Sequence, residues 1–178
     1  MSRGVEKFLG RSLLVAGVIG IRLIRQIGPI WGNVWLTVGW VIGYLLTEID
    51  DLFYVYICNP RDEVCQRVKT HIAAADWRRA REVLVATRGE RQNLPVHNIL
   101  TGLVVAAVGV WVISSLGSLV AAGAVLGLTT RLFVGALGEK NFEKWYWMFA
   151  REFRVVEHKV ILGVWGVLLA LQIVGLIR

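Results

Sequence analysis

The stretch "NILTGLVVAAVGVWVISSLGSLVAAGAVLGLTTRLFVGAL", residues 98–137, decides the fold class of this chain. It consists of two apolar runs separated by "SSLGS" (residues 114–118), and Arg131 is its one charged residue. Runs of this length match the roughly 20 residues that a helix needs to cross the hydrocarbon core of a bilayer. Because the link between the runs is so short, the stretch predicts two antiparallel transmembrane helices, over residues 97–114 and 118–137.

The composition of the whole chain agrees with a membrane location. The chain has 178 residues, of which 56% are hydrophobic, and its mean hydropathy is +0.58. This apolar share is well above that of a typical soluble domain. Backbone polar groups in lipid must be satisfied internally, and the apolar runs are too continuous for the alternating strands of a barrel. We therefore predict an all-α polytopic membrane protein, a single domain over residues 1–178 with four or five membrane-inserted helices plus interfacial amphipathic helices.

The segments outside the central hairpin complete this architecture. Residues 5–26 are predicted to form an amphipathic or re-entrant helix, because basic residues lie on one side and the fully apolar part is shorter than a span. Pro29 in "QIGPIWGN" ends that helix. The other predicted elements are spans at 31–57 and 160–177, a cytoplasmic helical hairpin at 61–95 and an interfacial helix at 141–158.

Two finer patterns predict how these helices pack. Within the 61–95 segment, "DWRRAREVLVATRGER" has an amphipathic pattern that turns the arginines outward. Its expected packing residues are Trp77, Ala80, Leu84 and Val85. Small residues recur in the 97–137 hairpin, where they allow close approach of helix backbones. They are Ala106, Ala107, Gly109, Gly117, Ala121, Gly123 and Gly127.

The distribution of basic residues predicts the orientation. The 61–95 segment carries eight Lys and Arg residues, the 138–159 segment carries five, and the link at 114–118 carries none. Both basic segments therefore belong in the cytoplasm by the positive-inside rule, with the chain in the cell inner (plasma) membrane as a multi-pass protein. For Arg3 and Lys7 also to lie inside, the helix at 5–26 must cross or re-enter the membrane.

A group of polar residues gathers at the predicted cytoplasmic face. Glu48, Asp50 and Asp51 end one span, His97 begins another, and Arg131 lies about 9 Å inside a third. One interpretation is a carboxylate–histidine metal site for zinc or manganese, with Glu48, Asp50, Asp51 and His97 as ligands. The other is an internal ion pair that needs no cofactor, since a buried arginine beside carboxylates supplies the counter-charge.

The two cysteines give no comparable signal. Cys58 and Cys65 lie seven residues apart in "CNPRDEVC", and two thiols do not make up the four ligands of a structural zinc site. We interpret them as unpaired thiols. A disulfide between them requires that this loop face an oxidising compartment.

Four motifs together resemble a known group of proteins. They are "GYLLTEIDDLFYVY", "TRGERQNLPVHNIL", "ISSLGSLVAAGAVLGLTTRLFVGAL" and "WYWMF", and they cover roughly residues 40–150. In order and spacing they resemble small membrane proteins from candidate-phylum bacteria, which are in turn similar to the membrane-bound metal-dependent hydrolases. The resemblance implies a first motif of the form Pro-Asp-Ile-Asp-His, a histidine that opens the next span, and a His-x-x-x-Asp pair in the span after it.

This chain departs from that pattern at the positions of the ligands. Asp50 and His97 match it, and Glu48 replaces an aspartate conservatively. Asp51 stands in place of a histidine. Arg131 and Gly135 stand in place of the His-x-x-x-Asp pair, with Gly135 leaving room one turn away from the arginine. The resemblance therefore implies a degenerate metal site in which Arg131 now provides the positive charge, because a guanidinium binds carboxylates bidentately without an ion.

These observations favour a non-catalytic integral membrane protein, a scaffold or accessory subunit of a larger or homo-oligomeric membrane assembly. Its expected partners are the lipid bilayer and a protein partner or further copies of itself, with no nucleic acid, and no cofactor is expected. The alternative is a divergent membrane-bound metal-dependent hydrolase that acts on a lipid or phosphoester at the cytoplasmic face, with zinc or manganese. Haem ligation by His97 or His158 is a weaker alternative. Transport is disfavoured because the chain has no internal repeat.

Overall fold

The computed structural model describes residues 2–53, 55–56, 63–86, 96–115, 117–139 and 141–178, and of residues 2–12, 48–53 and 85 it describes the backbone alone. The described chain is helical and contains no strand. The α-helices in order are α1 (Ser2–Ile24), α2 (Ile30–Phe53), α3 (Glu63–Ala73), α4 (Trp77–Ala86), α5 (Ile99–Ser114), α6 (Leu119–Gly138) and α7 (Val155–Ile177).

Three of these helices are long and apolar enough to cross a membrane. The apolar segments are Ile30–Thr47 in α2, Leu119–Gly138 in α6 and Val155–Ile177 in α7. Two shorter apolar segments, Leu13–Ile24 in α1 and Ile99–Ser114 in α5, accompany them. Many large apolar side chains on these helices are exposed, as expected for a surface that faces lipid. The all-α architecture predicted from the composition is therefore confirmed, and three of its described helices have the length and apolar composition of membrane spans.

Helices α2 and α6 pack backbone against backbone and run parallel. Gly39 faces the carbonyl of Val120, and one turn later Gly43 faces the carbonyl of Ala124, so that a Cβ at either glycine would overlap that carbonyl. Gly123 and Gly127 of α6 face the carbonyls of Leu36 and Trp40 in the same way. Two GxxxG stripes thus interlock, and backbones at this separation gain dispersion contacts and weak Cα–H···O bonds.

The small residues of the central hairpin were predicted to allow close backbone approach, and the structure shows which segments approach them. Gly123 and Gly127 lie against α2 and not against α5. Gly109 lies against the Gln172 side chain of α7. Ala107 and Ala121 are exposed. A glycine pattern predicts that another helix approaches closely, but it does not predict which helix. Here α2 packs on the glycines of α6 because α2 carries a matching pair of glycines.

Helices α5 and α7 also run parallel, but glycines of α5 receive side chains of α7. The ring of Trp165 lies over Gly102, and the amide of Gln172 lies over Gly109. At the far end of the pair, Ile113 lies over Gly175 of α7. Residues 102, 109 and 113 of α5 contact residues 165, 172 and 175 of α7 in the same order along both helices. The two helices are therefore parallel, and these contacts define their register.

The directions of the helices determine which helix ends lie together at each end of the bundle. Phe133 of α6 packs edge-on against Trp165, with ring centroids 5.6 Å apart, while Thr129 lies near Gln172, so α6 and α7 are antiparallel. The C-terminal ends of α2 and α6 therefore lie at the same end as the N-terminal ends of α5 and α7. We call this end the polar end, because it is the end toward which residues 48–51, His97 and His158 lie.

At the opposite end a buried arginine joins three segments. The guanidinium of Arg22 donates from Nε to Oδ1 of Asn33 at 3.0 Å, and from one terminal nitrogen to the carbonyl of Leu176. Arg25 donates to the carbonyl of Ile177 at 3.3 Å. The last carbonyls of a helix lack partners within it and carry partial negative charge, so these cations stabilise the C-terminus of α7.

Helices α3 and α4 form a hairpin that packs mainly on itself. Its core contains Cys65, Val68 and Ala80, together with Val55 from the π-helical residues 55–56. Cys58 lies outside the described residues. Trp77, which the sequence pattern predicted to pack, is 64% exposed, because the packing face of α4 is centred on Ala80 and Leu84 and Trp77 lies at its margin.

The interfacial helix predicted over residues 141–158 is wrong. A short 3₁₀ helix covers Phe142–Tyr146, non-helical chain follows, and α7 begins at Val155 with Glu157 accepting from the backbone nitrogen of Arg154 at 2.9 Å. Phe153 stacks on Tyr146 with centroids 4.1 Å apart. In a continuous helix these two residues would be about 10 Å apart along the axis, so ring stacking excludes the helix that the aromatic spacing predicted.

Candidate functional site

The polar end contains a buried arginine between α2 and α6. Arg131 is 7% exposed, and one terminal nitrogen of its guanidinium donates to the carbonyl of Tyr44 at 2.8 Å. The guanidinium also lies over the Tyr44 ring, 4.3 Å from its centroid, at a distance typical of a cation–π contact. The same carbonyl accepts from the hydroxyl of Thr47 at 3.1 Å. Arg131 thereby ties α6 to the last turns of α2.

The acidic residues of the predicted site follow directly on this contact. Glu48 is one turn after Tyr44 on α2, and the helix continues through Asp50 and Asp51 to Phe53. The side chains of these three residues lie outside the described part of the structure. Pairing of Arg131 with Glu48, Asp50 or Asp51 therefore stays a prediction, as does their participation in a metal site.

His97 lies at the start of α5, beside the aromatic residues of the polar end. Its ring centroid is 5.9 Å from that of Trp145. The next residue, Asn98, caps α5 by accepting from the backbone nitrogen of Thr101 at 2.8 Å. His97 therefore lies immediately before the N-cap of α5, and its ring is partly buried.

The space beside Gly135 is occupied by Trp145. A Cβ built on Gly135 would lie 3.3 Å from a ring carbon of Trp145, and Trp145 is buried. Gly135 was expected to leave room one turn away from Arg131, and in the structure the indole of Trp145 occupies that room. Trp145 belongs to the "WYWMF" motif, which the sequence did not connect with this glycine.

A second pair of polar side chains joins the 3₁₀ helix to α7. The hydroxyl of Tyr146 and Nδ1 of His158 share a hydrogen bond of 2.9 Å, and both residues are buried. Phe142 stacks on the His158 ring with centroids 4.8 Å apart. Burial raises the pKa of Tyr146, and the negative charge of Glu157 raises it further, so the tyrosine keeps its proton at neutral pH.

One buried polar side chain in the middle of the bundle was not predicted as a site residue. Nε2 of Gln172 donates to the carbonyl of Ala106 at 2.8 Å and lies 3.4 Å from the hydroxyl of Thr129. Gln172 is fully buried and so connects α7 with both α5 and α6. A glutamine two turns from the end of an apolar run is a weak signal, since such residues also occur near membrane surfaces.

The described residues provide several structural polar contacts and no preformed metal cage. Among them, no group of three or more His, Cys, Asp and Glu side chains lies close enough to hold an ion. Of the four predicted metal ligands Glu48, Asp50, Asp51 and His97, only His97 has a described side chain. The site as described is therefore a polar end in which Arg131, Tyr146 and His158 connect helices.

Comparison of the chain with protein-family models, with curated proteins and with solved structures gives no match.

Proposed function

We propose that this chain is a non-catalytic integral membrane protein that serves as a scaffold or accessory subunit of a larger or homo-oligomeric assembly. The observation that carries the proposal is that four buried polar side chains of the described residues hold neighbouring segments of the chain together. Arg22, Arg131, Gln172 and His158 each contact another helix or the segment beside it. Buried polar groups in a bilayer that hold helices together serve packing, whereas a catalytic site keeps some of them directed into a cavity.

The helix directions support five crossings of the inner membrane. Helices α1, α5 and α7 point one way and α2 and α6 point the other, as the contacts at Arg22, Gly39 and Gly102 indicate. With all five crossing, the N-terminus, the α3–α4 hairpin and the 139–154 segment lie on one side. This is the arrangement that the basic residues favour under the positive-inside rule. The shorter apolar segments of α1 and α5 are the two crossings that the proposal adds.

The outer surface offers lateral contacts for such an assembly. Trp31, Trp35 and Trp111 lie at the end opposite the polar end and are more than half exposed. Exposed tryptophans at the level of the headgroups anchor a bundle in the bilayer, and they are also enriched in protein interfaces. In the proposed assembly a neighbouring chain covers part of this aromatic surface.

We further propose that the polar end derives from the metal site of a hydrolase-like ancestor. In this proposal Arg131 supplies the charge that a metal ion once supplied to Glu48, Asp50 and Asp51. The contact of Arg131 with Tyr44 supports it, since Tyr44 is one helical turn from Glu48. This contact holds the guanidinium beside the last turns of α2, which supports a pairing with the carboxylates that follow.

The test combines metal content with oligomeric state. The protein is extracted without chelators into lipid nanodiscs, and zinc and manganese are measured per chain for the wild type and for Asp50→Ala. Native mass spectrometry of the same samples gives the number of chains. The proposal expects no stoichiometric metal and a complex of at least two chains. About one ion per chain, lost in Asp50→Ala, would overturn it in favour of the hydrolase, and a metal-free monomer would overturn the assembly.

A further inference from the structure

Within the described parts of the chain, the α3–α4 hairpin packs on itself and on residues 55–56, which follow α2. Its described packing is between α3 and α4 themselves and with Val55. Val55 is eight residues past Thr47, where the apolar segment of α2 ends, which corresponds to about 12 Å along a helix. The hairpin therefore lies close to the headgroup region, which extends only several ångströms beyond the hydrocarbon core.

One face of α4 combines an exposed tryptophan with exposed arginines. Trp77 and Arg81 are one turn apart, and Arg78 lies beside them. Trp77 borders the packing face that contains buried Ala80, and the two arginines lie farther from that face. Among the described side chains of α4, Trp77 is the large apolar one that is exposed. An aromatic ring flanked by arginines is the pattern that helices use at a membrane surface, where the ring enters the headgroups and the cations contact phosphates.

Of the two arginines on this face, Arg78 pairs with a carboxylate and Arg81 does not, within the described part of the hairpin. Arg79, on the opposite side of α4, pairs with Asp76 at 3.4 Å, and Arg78 lies 3.4 Å from Glu82. Within the described residues, Arg81 has no carboxylate at ion-pair distance. The face that carries Trp77 is thus the more cationic side of α4, and the positive-inside rule places it opposite the anionic cytoplasmic leaflet.

We propose that the Trp77–Arg78–Arg81 face of α4 binds the anionic lipid surface of the membrane that the chain spans. The hairpin then lies flat on the bilayer, with Trp77 among the headgroups and Arg81 on lipid phosphates. The occupant is the lipid surface and not a protein, because the face is small, its charge is complementary to anionic lipid, and the attachment through α2 holds it beside that surface. The inference depends on membrane insertion of α2 and not on the scaffold role.

Hydrogen exchange of the full chain in nanodiscs tests this proposal. Exchange of the α4 amides is compared between bilayers of phosphatidylcholine alone and bilayers that also contain phosphatidylglycerol. We expect exchange in α4 to slow when the anionic lipid is present. Each arginine at an anionic surface contributes about a fivefold change in binding, so Arg81→Gln should remove roughly that factor of the added protection, and Trp77→Ala should also reduce it.

The control is Arg79→Gln, which removes the same charge from the opposite side of α4. It should leave most of the lipid-dependent protection intact. Equal protection in the two bilayers would overturn the proposal, as would an equal loss for Arg79→Gln and Arg81→Gln, since both results mean that this face does not contact lipid. Protection of α4 that appears only after addition of a second protein, in bilayers without anionic lipid, would show that the face binds protein instead.

Discussion

The helix pairs α2–α6 and α5–α7 are built from similar parts and differ in what fills the space between the helices. Both pairs are parallel, both use glycines, and in both a polar side chain donates to a backbone carbonyl of the other helix. In α2–α6 that side chain is Arg131 and the backbones touch each other. In α5–α7 it is Gln172, and the glycines accommodate side chains. The first interface should therefore tolerate changes much less well than the second.

The largest effect is expected from Arg131→Met. If Glu48, Asp50 or Asp51 is the buried counter-charge, the substitution strands that charge at a cost of about 3–5 kcal/mol. The free energy of unfolding in mixed micelles, followed by tryptophan fluorescence, measures the loss. Arg81→Gln, an exposed arginine outside the bundle, serves as control and should change the free energy of unfolding by less than about 0.5 kcal/mol.

Double-mutant cycles identify the partner of Arg131. Arg131→Met is combined in turn with Glu48→Gln, Asp50→Asn and Asp51→Asn. A coupling energy of more than about 1 kcal/mol for one combination identifies that carboxylate as the partner. If none of the three combinations shows coupling, Arg131 does not pair with these carboxylates, and its contact with Tyr44 is the one to test next.

The next largest effect is expected from Gly39→Ala or Gly43→Ala. The added methyl group meets a carbonyl of α6, which is backbone and cannot move without shifting the helix. Overpacking of this kind costs about 1–3 kcal/mol, and we expect the upper end of that range. Gly163→Ala on α7 is the matched control, because a Cβ there meets nothing within 4 Å. It should be neutral or stabilise by up to about 1 kcal/mol, and destabilisation by both substitutions alike would contradict the packing of α2 on α6.

The difference between the two pairs shows how far sequence alone leads. Apolar run lengths and the distribution of charge predicted an all-α membrane protein, because burial in lipid demands long uncharged helices regardless of their partners. The glycines of α6 predicted close approach, but Gly39 and Gly43 of α2 were not recognised as its partners. Gly39 and its contact Val120 are far apart in sequence and meet only through tertiary packing. The periodicity of residues within one helix does not show which other helix packs against it.

The candidate site was predictable to a smaller extent. Arg131 stood out because a charge within a span is costly and needs a partner, and the structure does bury it. Its contact with Tyr44 was not predictable, since the acceptor is a backbone carbonyl that any residue provides. Trp145 over Gly135 was missed for a related reason: the aromatic motif was assigned to a helix, whereas the chain turns and stacks Phe153 on Tyr146.

Within α5–α7, a smaller effect is expected from Gly109→Ala than from Gly102→Ala. At Gly102 the new methyl group meets the rigid ring of Trp165, and we expect a loss of about 2 kcal/mol. At Gly109 it meets the end of the flexible Gln172 side chain, which can rotate away, so the loss should be about 1 kcal/mol. The same unfolding measurement ranks them, and the reverse order would mean that the amide of Gln172 is held more firmly than the indole.

The smallest effect is expected from Gln172→Leu. The substitution removes the hydrogen bond to the carbonyl of Ala106, and interhelical bonds of this type in membranes contribute about 0.6 kcal/mol on average. It also removes Oε1, a buried acceptor for which no donor lies within reach among the described residues. Removing an unsatisfied buried acceptor is favourable and offsets the loss of the hydrogen bond. The free energy of unfolding should therefore change by less than about 1 kcal/mol.

Gln172→Ala separates the polar contribution of this residue from its volume. Gln172 is fully buried, so the alanine leaves a cavity and should cost about 2–3 kcal/mol. If Gln172→Leu instead costs as much as Gln172→Ala, the amide does more than fill space, and a buried water at Oε1 becomes the simplest explanation. The α5–α7 pair would then depend on a polar contact as strongly as α2–α6 depends on Arg131. The remaining difference between the two pairs would be that the glycines of α2–α6 face backbone and those of α5–α7 face side chains.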